Sequence, residues 1–179
     1  MDKREASAAL ERLASRLATL SGILDKAEAD PAGRALEELA QARLAPDMHP
    51  LAWQVSAVCT QALQFLEWSR GHEVPHTVAE VTGWAEARAA LAQTRDRLAQ
   101  ALADAGETPE GKRIVLGPLG LYLDLSAPRY LDDWIVPNLY FHLTTAYAIL
   151  RMQGIALGKA DFMAHLMGDL KPIEPELAA

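Results

Sequence analysis

WIVPNLYFHLTTAYAIL, residues 134–150, is apolar on nearly every side of a helix and so constrains the fold more than any other segment. It lies between Asp133 and Arg151 and holds 17 residues with no formal charge, near the lower limit of about 17–25 residues for a membrane-spanning helix. Pro137, Asn138, His142, Thr144 and Thr145 would each be costly in lipid, and neither a basic flank nor an aromatic belt frames the segment. A buried central helix is the better account. Helical spacing gives it two stripes: Val136, Leu139, Leu143, Ala146 and Leu150 are apolar, while Leu131, Ile135, Asn138, His142, Thr145 and Ile149 make a half-polar one. A helix apolar on nearly every side needs several neighbours, which calls for a bundle. Pro137 cannot donate to the carbonyl of Asp133, so the helix should kink or loosen one turn before His142.

The rest of the chain supplies the neighbours. In 179 residues, 33 Ala and 27 Leu far outnumber seven Val, six Ile and eight Thr, a balance that favours helix over strand. Leu10, Leu13, Leu17, Leu20 and Leu24 stripe a first helix from Ala8 to Ala29. Asp30 and Pro31 interrupt it, and a shorter connector carrying Leu36 and Leu39 ends at Pro46. Asp47 or His49 is placed to cap a second helix with Pro50 in its first turn. Leu51, Val55, Val58, Ala62 and Phe65 then follow the seam pattern of a bundle to about Gly71. A loop over Gly71–Thr77 precedes a third stripe of Trp84, Ala87, Leu91, Thr94, Leu98 and Ala101, which ends near Gly106.

Residues 107–125 change character. Ile114-Val115-Leu116, the turn Gly117-Pro118-Leu119-Gly120 and the run Leu121–Leu125 predict a small β-hairpin over about 112–125. Ser126 and Pro128 open the fourth helix, which runs to Gly154, and a short helical piece around Phe162 precedes a proline-containing tail at about 168–179. The expectation is one all-α domain spanning 1–179, a four-helix bundle with a hairpin inserted before its last long helix. Connectors of about 20 residues before the second and fourth helices are long enough to cross the bundle.

Seventeen Lys and Arg against 24 Asp and Glu leave a net charge of −7 with no basic stripe, so neither a nucleic acid nor an anionic membrane is expected as partner. Cys59 is the one cysteine, and the opening MDKREASAALERL is charged where a secretory signal would be apolar, which places the protein in the cytoplasm by default. A lone helical cysteine reads as a small buried hydrophobe. His72 and His76 sit in a polar loop and read as solvent-facing, while Asp132 and Asp133 are adjacent and point about 100° apart on a helix, unsuited to shared acid–base work. No phosphate-binding glycine loop or hydrolase elbow is present.

That leaves the half-polar stripe of the fourth helix. Asn138 and His142 are four apart and project from one face. They either fix helix register by bonding to backbone or a tyrosine, or they form part of a ligand site. Tyr140 and Tyr147 read first as packing residues with a tethered hydroxyl.

LAPDMHPLAWQV (44–55), PNLYFHLTTAYAILRMQG (137–154) and GKADF (158–162) resemble a bacterial family of uncharacterised domains grouped with the DinB-like four-helix bundles. The resemblance runs from the first helix to about Phe162. It implies the DinB-like fold, taken here as an up-up-down-down bundle with long crossings, and frequent homodimers. Several members of that superfamily are metal-dependent enzymes that transfer or use low-molecular-weight thiols. Their metal site takes one histidine near the start of the second helix and a His-x-x-x-His pair on the fourth. His49 matches the first and His142 the last, but Asn138 stands in the middle position, leaving an incomplete set for Zn²⁺ or Ni²⁺, which prefer imidazole to a neutral amide.

Two functions follow as expectations. One is a binding module with a small-ligand pocket between helices two and four, lined by His49, Asn138, Tyr140 and His142 and closed by the hairpin. The other is a metal-dependent enzyme, transferase or hydrolase in type, in which His49 and His142 hold a divalent ion that activates a thiol or water. The surplus of apolar faces on the fourth helix, with Trp84 and Trp134 nearby, further predicts a homodimer.

Overall fold

A computed structural model describes residues 1–74, 77–101 and 107–173. Helix α1 (Lys3–Glu28) opens at a capping box: the Asp2 side chain accepts the Glu5 N–H at 2.8 Å, and the Glu5 carboxylate accepts the Asp2 N–H at 2.9 Å. Its leucine stripe is fully buried. The connector carries α2 (Leu36–Gln41). Helix α3 (Leu51–Ser69) begins with Pro50 itself as the cap residue. Neither Asp47 nor His49 caps it, because the Leu51 N–H goes to the carbonyl of Ala42 at 2.9 Å, a bond made by the returning connector. Helix α4 (Trp84–Ala101) buries the expected stripe, and the expected stop near Gly106 lies outside the described residues.

Pairs across the bundle set the helix directions. Arg88 meets Asp25, and Arg95 meets Ser21, so α4 runs antiparallel to α1. Glu67 pairs with Arg97, while Leu51 and Val55 lie beside Trp84 and Ala87, so α3 and α4 are parallel. The order is therefore up-down-down-up rather than up-up-down-down. The reason lies in the connectors. The long link before α3 folds back on itself around α2, so α3 returns antiparallel to α1.

Strands β1 (Gly111–Leu116) and β2 (Leu121–Ser126) pair antiparallel, Gly111 opposite Ser126 and Leu116 opposite Leu121. A 3-10 turn at Gly117–Leu119 ends on Gly120 at φ +64°, a left-handed conformation that glycine adopts without strain. Ile114 and Leu125 anchor the hairpin base in the core. The fourth long helix follows as α5 (Ala127–Arg129), a π-helical stretch over Tyr130–Ile135 and α6 (Val136–Met152). The Val136 N–H reaches back five residues to the carbonyl of Leu131. The loosening expected from Pro137 thus takes the form of a wide turn directly before it. Gln54 meets His142 and Trp68 meets Tyr130, so this helix runs antiparallel to α3.

The most enclosed helix is α3, not α6. Helix α3 is flanked by α1, α4 and α6, whereas α6 rests chiefly on α3 and leaves Pro137, Phe141, Thr144 and Met152 in water. Helix α7 (Lys159–Phe162) and a 3-10 turn at Ala164–Asp169 close over α1, where Lys26 pairs with Asp161 at 2.6 Å. Among the described residues no helix is long and apolar enough to cross a membrane.

Candidate functional site

Gln54 sits near the start of α3 and is only 2% exposed. A buried amide needs partners, and it has two: its Nε2 donates to the carbonyl of His49 at 3.0 Å, and its Oε1 lies 2.8 Å from Nδ1 of His142. With the NH₂ committed to a carbonyl, the oxygen must face the imidazole, so His142 carries its proton on Nδ1 and donates it to Gln54. Nε2 of His142 is then the bare acceptor. Burial pushes the His142 pKa down to about 4, and repulsion from His49 adds to the effect. The ring is neutral at physiological pH, fit to accept a hydrogen bond or to ligate, and a weak base.

Around it stand three more rings. The imidazole of His49 stacks on the indole of Trp53 at 3.9 Å and 13°. The Trp53 ring meets His142 edge-on at 5.3 Å, and Phe141 meets His142 edge-on at 5.2 Å. His49 and Phe141 are exposed, Trp53 and His142 half-buried, so the row forms a continuous aromatic strip along the seam between α3 and α6.

The structure brings His49 and His142 to one indole, that of Trp53. Asn138 is half-buried one turn before His142, and its Nδ2 donates to the carbonyl of Trp134 at 2.7 Å. Tyr140 leaves the group. Two positions from His142 is about 200° around a helix, and its phenol turns to α1, where Arg16 donates to the hydroxyl and lies over the ring at 5.7 Å. The hairpin does not close this site either. Its base is tied to the far end of α3, where Trp68 Nε1 donates to the carbonyl of Gly111 at 3.3 Å, fourteen residues and about 21 Å of helix from Gln54.

Other candidates settle elsewhere. Cys59 is buried and its thiol is pushed up to about 12, which makes it inert as a nucleophile. His72 is exposed beside Glu67 at 2.6 Å, and His76 lies outside the described residues. Asp133 pairs with Arg129 at 2.7 Å on the surface. Sequence reasoning overlooked Gln54, Trp53 and Phe141. The signal was present: Gln54, Gln61 and Gln64 recur at spacings of seven and three on a helix otherwise apolar, and a buried amide asks for partners.

A metal site of the superfamily's kind would need imidazoles at positions 49, 138 and 142. Two imidazoles and an amide turned by its NH₂ into a backbone carbonyl do not make that set. Among the described residues no group of three or more His, Cys, Asp or Glu side chains is placed to hold an ion.

A family model described as "Domain of unknown function (DUF1993)" matches residues 7–163. The chain belongs to the DUF1993 family. This DUF1993 protein is also similar to the 1.83 Å crystal structure of a DinB family member from Shewanella denitrificans, with 28% sequence identity, 96% of each chain covered and a TM-score of 0.72. The family thus sits within the DinB-like superfamily, and the fold is the DinB-like helical bundle with a two-stranded hairpin. No curated protein matches the chain.

Proposed function

We propose that this DUF1993 protein binds a small planar ligand on the His49–Trp53–His142–Phe141 strip, between its second and fourth long helices. The observation that carries the reading is the pair formed by Gln54 and His142. A buried amide holds a neutral imidazole in one tautomer with its Nε2 lone pair directed away from the core partner. A ligand that offers a flat ring to the aromatic strip and an N–H or O–H to Nε2 matches both features. Asn138 lies one turn away and adds a polar boundary. The metal-dependent alternative, in which Zn²⁺ or Ni²⁺ on His49 and His142 activates a thiol or water, lacks its third imidazole, Asn138 standing in that place.

Tryptophan fluorescence tests the reading with benzimidazole and N-methylbenzimidazole, planar probes that differ in one N–H. Saturable quenching by benzimidazole is expected, weaker by tenfold or more for the methylated probe and lost in Trp53→Leu and His142→Leu. Equal responses to both probes in all three proteins, or none at millimolar concentration, would refute it.

A further inference from the structure

A cleft of about 740 Å³ opens at the far end of α3, between strand β1 and residues 72–74, where the chain leaves that helix. Trp68, Val74, Pro109 and Val115 give it apolar lining. The Trp68 indole also fixes which way the backbone of β1 faces. Its Nε1 donates to the carbonyl of Gly111, which therefore points off the hairpin towards α3. One residue earlier the direction reverses, and the Glu110 carbonyl accepts the Ala127 N–H at 2.9 Å across the hairpin base. Residues of an antiparallel pair alternate in this way between bonding across the ladder and facing outwards. Lys112, Ile114 and Leu116 thus serve β2, while Gly111, Arg113 and Val115 turn their N–H and C=O groups outwards, and all three line the cleft. Among the described residues the sheet has two strands, and no main-chain group meets the outward N–H and C=O of Arg113 and Val115. Charged side chains commonly shield such an edge. Here Arg113 is drawn away from it, paired with Asp124 at 2.7 Å and lying over the Tyr122 ring at 4.3 Å, both on β2.

We infer that β1 accepts an extended peptide segment of a partner protein, which lies in this cleft and adds a third strand to the hairpin. The outward groups recur at every second residue, about 7 Å apart. Another strand matches that spacing, and a single small ring does not. Main-chain bonds supply the pairing, while the lining of the cleft receives alternate side chains. Trp68, Val74 and Pro109 suit apolar, β-branched residues at those positions. Strand β2 also has an outward edge, but residues 72–74 and Trp68 flank β1 alone and give its occupant walls as well as hydrogen bonds. The cleft stands at the opposite end of α3 from Gln54, so neither this site nor the aromatic strip depends on the other.

The probe is a fluorescein-labelled hexapeptide of alternating valine and threonine, titrated with the full chain and read by anisotropy. Saturable binding is expected, weaker by tenfold or more for the same sequence N-methylated at every residue, which keeps the side chains and removes the main-chain donors. Val115→Pro takes away an outward N–H without touching the ladder and should cost at least tenfold, whereas Tyr122→Pro, the matching change on the outward side of β2, should cost less than twofold. Amide exchange in the wild type is independent of any effect of proline on folding. With the probe bound, exchange at Arg113 and Val115 should slow at least tenfold and that at Tyr122 and Asp124 should stay unchanged. No binding at millimolar probe, equal binding of the methylated peptide, or protection on the β2 edge instead overturns the inference.

Discussion

Acid should weaken this fold through one imidazole. His142 is held neutral in the folded state with a pKa of about 4, whereas the unfolded chain protonates it near its ordinary value of 6.5. Between those two pH values the unfolded state binds a proton that the folded state refuses, so stability falls as pH drops from 6.5 towards 4. At 1.36 kcal/mol per pKa unit the full shift is a ceiling of about 3 kcal/mol. The ring touches solvent on one side, and screening there reduces the loss to about 1–2 kcal/mol. His142→Gln keeps a donor for Gln54 and removes the titration. Urea denaturation at pH 7.5 and pH 4.5 should therefore show the wild type losing about 1–2 kcal/mol more than the variant. The His142 ring proton, followed by NMR, should titrate below pH 5. A midpoint near 6.5, or parallel losses in the two proteins, would refute the assignment of a buried neutral imidazole.

Asn138→His completes the superfamily's imidazole set and should raise Zn²⁺ or Ni²⁺ affinity at least tenfold by calorimetry; no binding in either protein counts against a latent site. In Gly111→Ala the new Cβ would stand 2.6 Å from the carbonyl oxygen of Leu125. Backbone must give way there, and thermal melts should show a loss of about 1–3 kcal/mol. The hydroxyl of Tyr130 is buried and finds no hydrogen-bond partner among the described residues, while its ring packs edge-on against Trp68 at 4.8 Å. Tyr130→Phe should consequently match the wild type or exceed it by about 1 kcal/mol, and a loss of that size would show the hydroxyl to be engaged.

Periodicity made the four long helices and the hairpin legible, because the leucine stripe of α1 and the apolar run of β2 each obey a single repeat. Helix direction was not. Connector length says how far a segment can reach, and residues 29–50 spend theirs folding back around α2. The site was half legible. His142 could be named from its place on the half-polar stripe and His49 from the family resemblance, but Gln54 acts through a bond to a residue 88 positions away, and nothing local marks it apart from polarity on an apolar helix. Tyr140 was an avoidable error, since its two-residue spacing from His142 already puts it on the other side of α6. The hairpin was found in the chain and misplaced in space, because its distance from His49 depends on its bond to Trp68 at the far end of α3.

The wide turn at Tyr130–Ile135 makes the last long helix a rod with two angular settings. Upstream of it, Ala127 and Tyr130 are indexed to the hairpin and Trp68; downstream, His142 is indexed to Gln54. One residue more per turn is worth about 100° of rotation. If the wide turn tightened to ordinary α-helix with every residue kept, His142 would swing off its amide while the hairpin kept its footing, whereas deleting a single residue between 130 and 135 would let the tighter turn form with His142 still in phase. The phase between the hairpin end and the His142 end of this helix is therefore set within six residues.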